Sequence, residues 1–162
     1  MKRIALVFVA MLASSGTALS QTRISVGLGG GIAGSTDESL SDGKGAPVVM
    51  GAVTSSVLPL VALGAEVDYW RRSEAQSTIA TGILQVHIPV LPLFLKVGVG
   101  YGSGDPNGGG NISGITGQVG AAYDLALPVL PVAFTLFGNA FLAHGSARSL
   151  QMVDGGLALT WR

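Results

Sequence analysis

Pro89-Val-Leu-Pro-Leu-Phe-Leu-Lys-Val-Gly-Val-Gly-Tyr-Gly102 is a proline-pinched apolar corner followed by strict alternation. From Leu95 onward, Leu95, Val97, Val99 and Tyr101 fall on one face of a strand and Lys96, Gly98, Gly100 and Gly102 on the other, because strand side chains alternate with a period of two. The corner recurs at Val57-Leu58-Pro59-Leu60 and at Val129-Leu130-Pro131-Val132, so that Pro59, Pro92 and Pro131 stand 33 and 39 residues apart. Each is followed by another alternating run, and the chain reads as hairpins in series.

Working outward, the same alternation yields seven more strands. Residues 22–34 set Ile24, Val26, Leu28 and Ile32 against Arg23, Ser25, Gly27 and Gly29, and a second strand spans 48–57. The third sets Leu63, Ala65, Val67 and Tyr69 against Gly64, Glu66 and Asp68; the fourth, 79–88, sets Thr81, Ile83, Gln85 and His87 against Gly82, Leu84 and Val86. The sixth opposes Ile115, Val119, Ala121 and Tyr123 to Thr116, Gln118, Gly120 and Asp124, and the last two cover 132–142 and 150–161. Between them lie polar loops at 35–45, 71–78, 103–112 and 143–149. The glycine-rich 103–112 segment lacks the Gly-Lys-Ser/Thr ending and the following helix that a phosphate cradle needs, so it reads as a loop.

Four polar loops alternating with three apolar corners is the order an up-and-down meander requires. Composition narrows the setting. Lys2 and Arg3, the apolar residues 4–13 and the small-residue site Ala18-Leu19-Ser20 have the layout of an export signal, which predicts a signal peptide over 1–20 and one domain over 21–162. The chain has no cysteine, which excludes a disulfide scaffold, a thiolate enzyme and a Cys-ligated metal. Beyond residue 20, seven basic residues face nine acidic ones, a net of 7 − 9 = −2, so there is no basic field for nucleic acid. The most apolar run, 125–138, contains Pro128 and Pro131, and a proline inside a helix costs about 3 kcal/mol. An exported, hydrophobic chain without spanning helices points to strands closed into a barrel in lipid. The fold expected is therefore all-β, an eight-stranded antiparallel transmembrane barrel.

In such a barrel one strand face meets lipid and the other fills a narrow lumen. Aromatic side chains near strand ends are expected at the two membrane interfaces: Tyr69, Trp70, Tyr101 and Phe141 toward the loops, Phe94, Tyr123, Phe134 and Trp161 toward the corners. The lumen face carries Glu66, Asp68, Gln85, Lys96, Gln118, Asp124 and Asn139. Loop lengths place Lys96 opposite Asp124 as an ion pair and Glu66 near Gln85. A charge-lined conducting pore and a soluble sandwich with terminal aromatics are the competing readings.

Asp154, Gly156, Leu159 and Trp161 have the polar, glycine, apolar and aromatic spacing that resembles the C-terminal assembly signal of bacterial outer-membrane barrels, with Arg162 one residue past the aromatic. With the export signal and eight strands, the chain from 21 onward resembles the small outer-membrane barrels of the OmpA/OmpX type. That resemblance implies a location in the outer membrane, outer-membrane lipid as surroundings and insertion by the barrel assembly machinery. It also implies a structural, envelope-integrity or surface-interaction role, with any surface ligand unknown. No cofactor is expected, and two distant histidines without clustered acids predict no metal site. One constellation points elsewhere. His144-Gly145-Ser146, with Asp154 eight residues after the serine, resembles the His-x-Ser arrangement of outer-membrane lipid A deacylases, where imidazole takes the serine proton. Gly145 and Ala147 stand where that pattern has Tyr and Asn, and its downstream Glu is missing.

Overall fold

The computed structural model describes residues 21–35, 44–73, 75–105, 110–126, 130–145 and 148–162. The expected export segment, residues 1–20, lies outside them. Eight strands follow one another: β1 (Thr22–Ser35), β2 (Lys44–Leu58), β3 (Val61–Arg72), β4 (Ala75–His87), β5 (Leu93–Asp105), β6 (Ile112–Ala126), β7 (Val132–His144) and β8 (Ser149–Trp161). Every strand is antiparallel to its chain neighbours, and β8 pairs with β1 to close the cylinder. Closure satisfies the last strand edge, as a backbone surrounded by hydrocarbon requires.

Several strands run further toward the loop end than the apolar alternation predicts. β2 starts at Lys44, β4 at Ala75 and β6 at Ile112, while β5 continues to Asp105. The ladder is a backbone property, so polar pairs extend it beyond the apolar band: Arg71 stands opposite Gln76, and Gln76 opposite Asp105. At the other end the proline corners stop it. There His87 N–H donates to Leu60 O at 2.8 Å, Ile88 N–H to Leu93 O at 2.9 Å and Arg162 N–H to Pro131 O at 2.9 Å.

The two faces separate as the alternation demands. Val97 and Val99 are 50% and 66% exposed on the outer wall, whereas Lys96 between its neighbours is 3% exposed inside. Val26, Leu28, Leu63, Leu84, Ile115, Val119, Leu136, Leu142, Val153 and Leu157 continue the apolar outer wall around the barrel. Inside, two apolar clusters flank a polar middle. One, toward the loops, joins Ala33, Val48, Trp70, Ala75, Ile79, Phe141 and Met152; the other joins Met50, Ala52, Phe94, Ala122, Phe137 and Ala158.

Candidate functional site

The middle of the lumen is organised on Glu66. Lys96 Nζ donates to Glu66 Oε1 at 2.9 Å and to Oε2 at 2.6 Å, Gln118 Nε2 donates to Glu66 Oε1, and Thr81 Oγ1 donates to Gln118 Oε1. Four strands, β3, β4, β5 and β6, thus meet in one hydrogen-bonded group. Room for it comes from glycine. Gly120 stands directly across from Lys96, and a Cβ there would lie 3.2 Å from Lys96 Cε and 2.8 Å from Gly138 O. Burying both ions costs several kcal/mol each, which the bidentate contact and the added amide donor offset. Asp68, two residues along β3, is fully buried and within electrostatic reach of Glu66, Asp154 and Lys96. Neither of its carboxylate oxygens has a hydrogen-bond partner among the described residues. Asp154 faces Asn139 across the β7–β8 ladder, also inside.

A second polar group closes the corner end. Arg23 Nη2 donates to Asp124 Oδ2 at 2.6 Å, Arg162 Nη2 donates to the same oxygen at 2.8 Å, and Thr135 Oγ1 donates to Asp124 Oδ1 at 2.6 Å. Thr160 Oγ1 lies 2.8 Å from both the Thr135 and Ser25 hydroxyls. The Arg23 guanidinium sits 5.0 Å from the Phe94 ring centroid, and the His87 ring lies 5.2 Å from the same ring. Asp124 on β6 therefore gathers the first strand of the barrel and the residue after the last.

Glu66, Asp68, Gln85, Lys96, Gln118 and Asp124 all face inward, but two expected pairings do not form. Lys96 stands opposite Gly120 rather than Asp124, whose N–H instead bonds to Pro92 O at the corner, and Lys96 pairs with Glu66. Gln85 stands opposite Ala62 and Lys96, while Glu66 stands opposite Thr81. The cause is the turn geometry: pairing continues to Arg72 with Ala75 and to Gly104 with Ile112, which shifts each register by a few residues.

Trp70 is a correction of a different kind. It was expected at the membrane interface and is fully buried in the lumen, its Nε1–H donating to Gly31 O at 3.1 Å. It shares strand parity with Glu66 and Asp68, so it points where they point. Phe141 and Phe94, also expected at the interfaces, are buried inside for the same reason. Tyr69 and Tyr101 face outward near the loop end; Tyr123, Phe134 and Trp161 are exposed on the wall near the corner end. Of the assembly-signal positions, Asp154 and Gly156 lie on the lumen face of β8 and Leu159 and Trp161 on its outer face. Arg23 and Arg162 were not anticipated as site residues; Arg23 could have been found from its inward parity in β1.

The His-x-Ser constellation lies partly outside the described residues. His144 ends β7 at the exposed rim with Nδ1 3.1 Å from Ser149 Oγ, and Ser146 lies outside the described residues. Asp154 is in the lumen, five residues from Ser149 along β8, or roughly 17 Å at about 3.4 Å per residue. Among the described residues no group of three or more His, Asp or Glu could hold a metal ion.

No protein-family model and no curated protein sequence matches this chain. Solved structures do. Ail, the attachment invasion locus protein of Yersinia pestis, is 11% identical with a TM-score of 0.61 over 86% of this chain and 97% of its own. Neisserial surface protein A (NspA) is 10% identical with a TM-score of 0.55 over 86% and 96%. The N-terminal β-barrel domain of Pseudomonas aeruginosa OprF is 13% identical with a TM-score of 0.50 over 88% and 99%. At these identities the likeness is one of fold, and it spans nearly the whole of each neighbour. The fold of this chain is that of the small eight-stranded outer-membrane β-barrels of the OmpA/OmpX type.

Proposed function

We propose that this chain is an exported outer-membrane barrel without catalytic or pore activity, which serves the envelope as a structural element or presents its loop end as an interaction surface. The observation that carries this reading is the filled lumen. The Trp70 cluster occupies the loop half, the Glu66–Lys96–Gln118 group the middle, and the Asp124 cluster the corner mouth. An eight-stranded barrel is just wide enough to be filled by side chains, and this one has them on every level. The distance between His144 at the rim and Asp154 in the lumen gives the acyl-transfer arrangement no support. The loop-end rim, with Arg71, Arg72 and Ser73 exposed, is where a surface partner would meet the protein.

Membrane fractionation with heat-modifiable migration on unboiled gels tests the setting: the reading expects recovery with outer membrane and a fast-migrating folded form. Reconstitution in planar bilayers should give no steady single-channel conductance. Lipid A acylation should be the same with the wild type and with Ser146→Ala; a difference between them would replace this reading with the enzymatic one.

A further inference from the structure

The three proline corners pose a problem that the barrel itself does not solve. Turns that end in water are normally polar, yet Val57, Leu58, Leu60, Val90, Leu91 and Leu130 are all exposed at this end. Residues 57–65, 86–95 and 125–147 contain no Lys, Arg, Asp or Glu. A contiguous exposed apolar rim marks a surface that meets something other than water.

Three observations favour lipid as that something. First, the rim is continuous with the outer wall: Leu63, Val86 and Leu95, exposed on β3, β4 and β5, lead without a polar break into Leu60, Leu91 and Val90. Second, the corner backbone is prepared for a medium that offers few hydrogen bonds. Pro59, Pro89, Pro92 and Pro131 have no N–H to satisfy, and His87, Ile88 and Leu91 donate theirs to Leu60, Leu93 and Ile88. An unpaired donor in hydrocarbon costs several kcal/mol, so removing or pairing donors matters there and hardly at all in water. Third, Val90 has φ +74, a conformation a β-branched residue rarely adopts, and its side chain is fully exposed. The turn that Leu91 N–H closes on Ile88 O requires a positive φ at this position, where glycine is the usual residue; a fully exposed valine there instead adds apolar surface to the rim.

We propose that the apolar corner turns do not project into water but lie in the headgroup and acyl boundary of the adjoining leaflet, with Leu58, Val90, Leu91 and Leu130 as a membrane-inserted rim around the polar mouth. The outward aromatics Tyr123, Phe134 and Trp161 then stand just inside that boundary, while the charged loop end and, inside the ring of corners, the Arg162–Asp124 mouth meet water. This rests on the reading of the barrel as a membrane protein, and the test separates the two.

Because the chain has no cysteine, single substitutions Leu58→Cys, Val90→Cys, Leu91→Cys and Leu130→Cys can each carry an environment-sensitive fluorophore in phosphatidylethanolamine and phosphatidylglycerol vesicles, with heat-modifiable migration confirming the fold. Arg72→Cys serves as the solvent reference and Val97→Cys as the wall reference. Iodide on both sides of the membrane should quench the corner labels about threefold or more less than Arg72→Cys, and headgroup-depth nitroxide lipid should quench them well. Corner labels as open to iodide as Arg72→Cys, with Val97→Cys protected, would overturn the inference and leave the barrel reading standing. An accessible Val97→Cys would sink both. Protection that vanishes as protein is diluted in lipid would assign the rim to contacts between copies, and overturn the inference too.

Discussion

The two ionic groups inside the barrel use the same chemistry at the same distance and differ in depth. Lys96 meets Glu66 at 2.6 Å with side-chain exposures of 2% and 1%. Arg162 and Arg23 meet Asp124 at 2.8 and 2.6 Å, but Arg162 is 39% exposed. Distance alone would rank them equal. What separates them is whether water can replace a missing partner, and that is set by which level of the strand the residue occupies. In the middle both partners are enclosed; at the mouth Arg162 stays open to solvent.

The sharpest way to break this contrast is Lys96→Met. Among the described residues Lys96 is the one cation facing the middle of the lumen, and Glu66, Asp68 and Asp154 share its field. Its loss removes both Lys96 contacts to the buried Glu66 carboxylate and leaves only the Gln118 amide donor, a change that costs about 3–5 kcal/mol for buried pairs. Urea unfolding of the barrel in lipid vesicles should show that loss, and Lys96→Met combined with Glu66→Met should recover most of it, since both ions are then gone. A single variant as stable as the wild type would mean that the middle of the lumen is wet, and the contrast with the mouth would disappear.

Asp124→Asn should come next, at about 1–3 kcal/mol, because it leaves Arg23 and Arg162 facing each other while Thr135 keeps a hydrogen-bond acceptor. Its signature is salt dependence. Raising salt to 1 M shortens the screening length to about 3 Å, which should return part of the stability of Asp124→Asn and almost none of that of Lys96→Met. Equal recovery in the two variants would put both sites at the same depth.

The sequence made the outer wall and the lumen face legible because both are parity statements, and parity survives errors in strand length. Lys96, Val97 and Val99 fall on their expected sides for that reason. Partner choice is not a parity statement. Lys96 pairs with Glu66, 30 residues back on β3, through a register fixed by two turns whose lengths composition alone leaves open. Trp70 shows the opposite failure: parity with Asp68 placed it inside, but its chemical type suggested the interface, and here parity won because the loop half of the lumen needs a large side chain to fill it. Arg162 was legible only as a departure from a terminal pattern. Its role depends on Asp124, 38 positions earlier in sequence and brought alongside it by the β6–β7 and β7–β8 pairings.

Arg162→Gln is the mildest change and tests how the mouth divides its work. The Arg162 side chain is 39% exposed, so solvent already screens its attraction to Asp124, and Arg23 stays on the same carboxylate oxygen. The backbone tie from Arg162 N–H to Pro131 O is untouched by the substitution. Exposed pairs of this kind contribute about 0–1 kcal/mol, and the unfolding midpoint should move by no more than that implies. If Arg162→Gln instead cost as much as Asp124→Asn, the carboxylate would be held mainly by the residue beyond β8, and Arg23 with its Phe94 stacking would be the bystander. A small effect, with Arg23→Gln costing more, would place the closure of the β1–β8 seam on the buried arginine of the first strand.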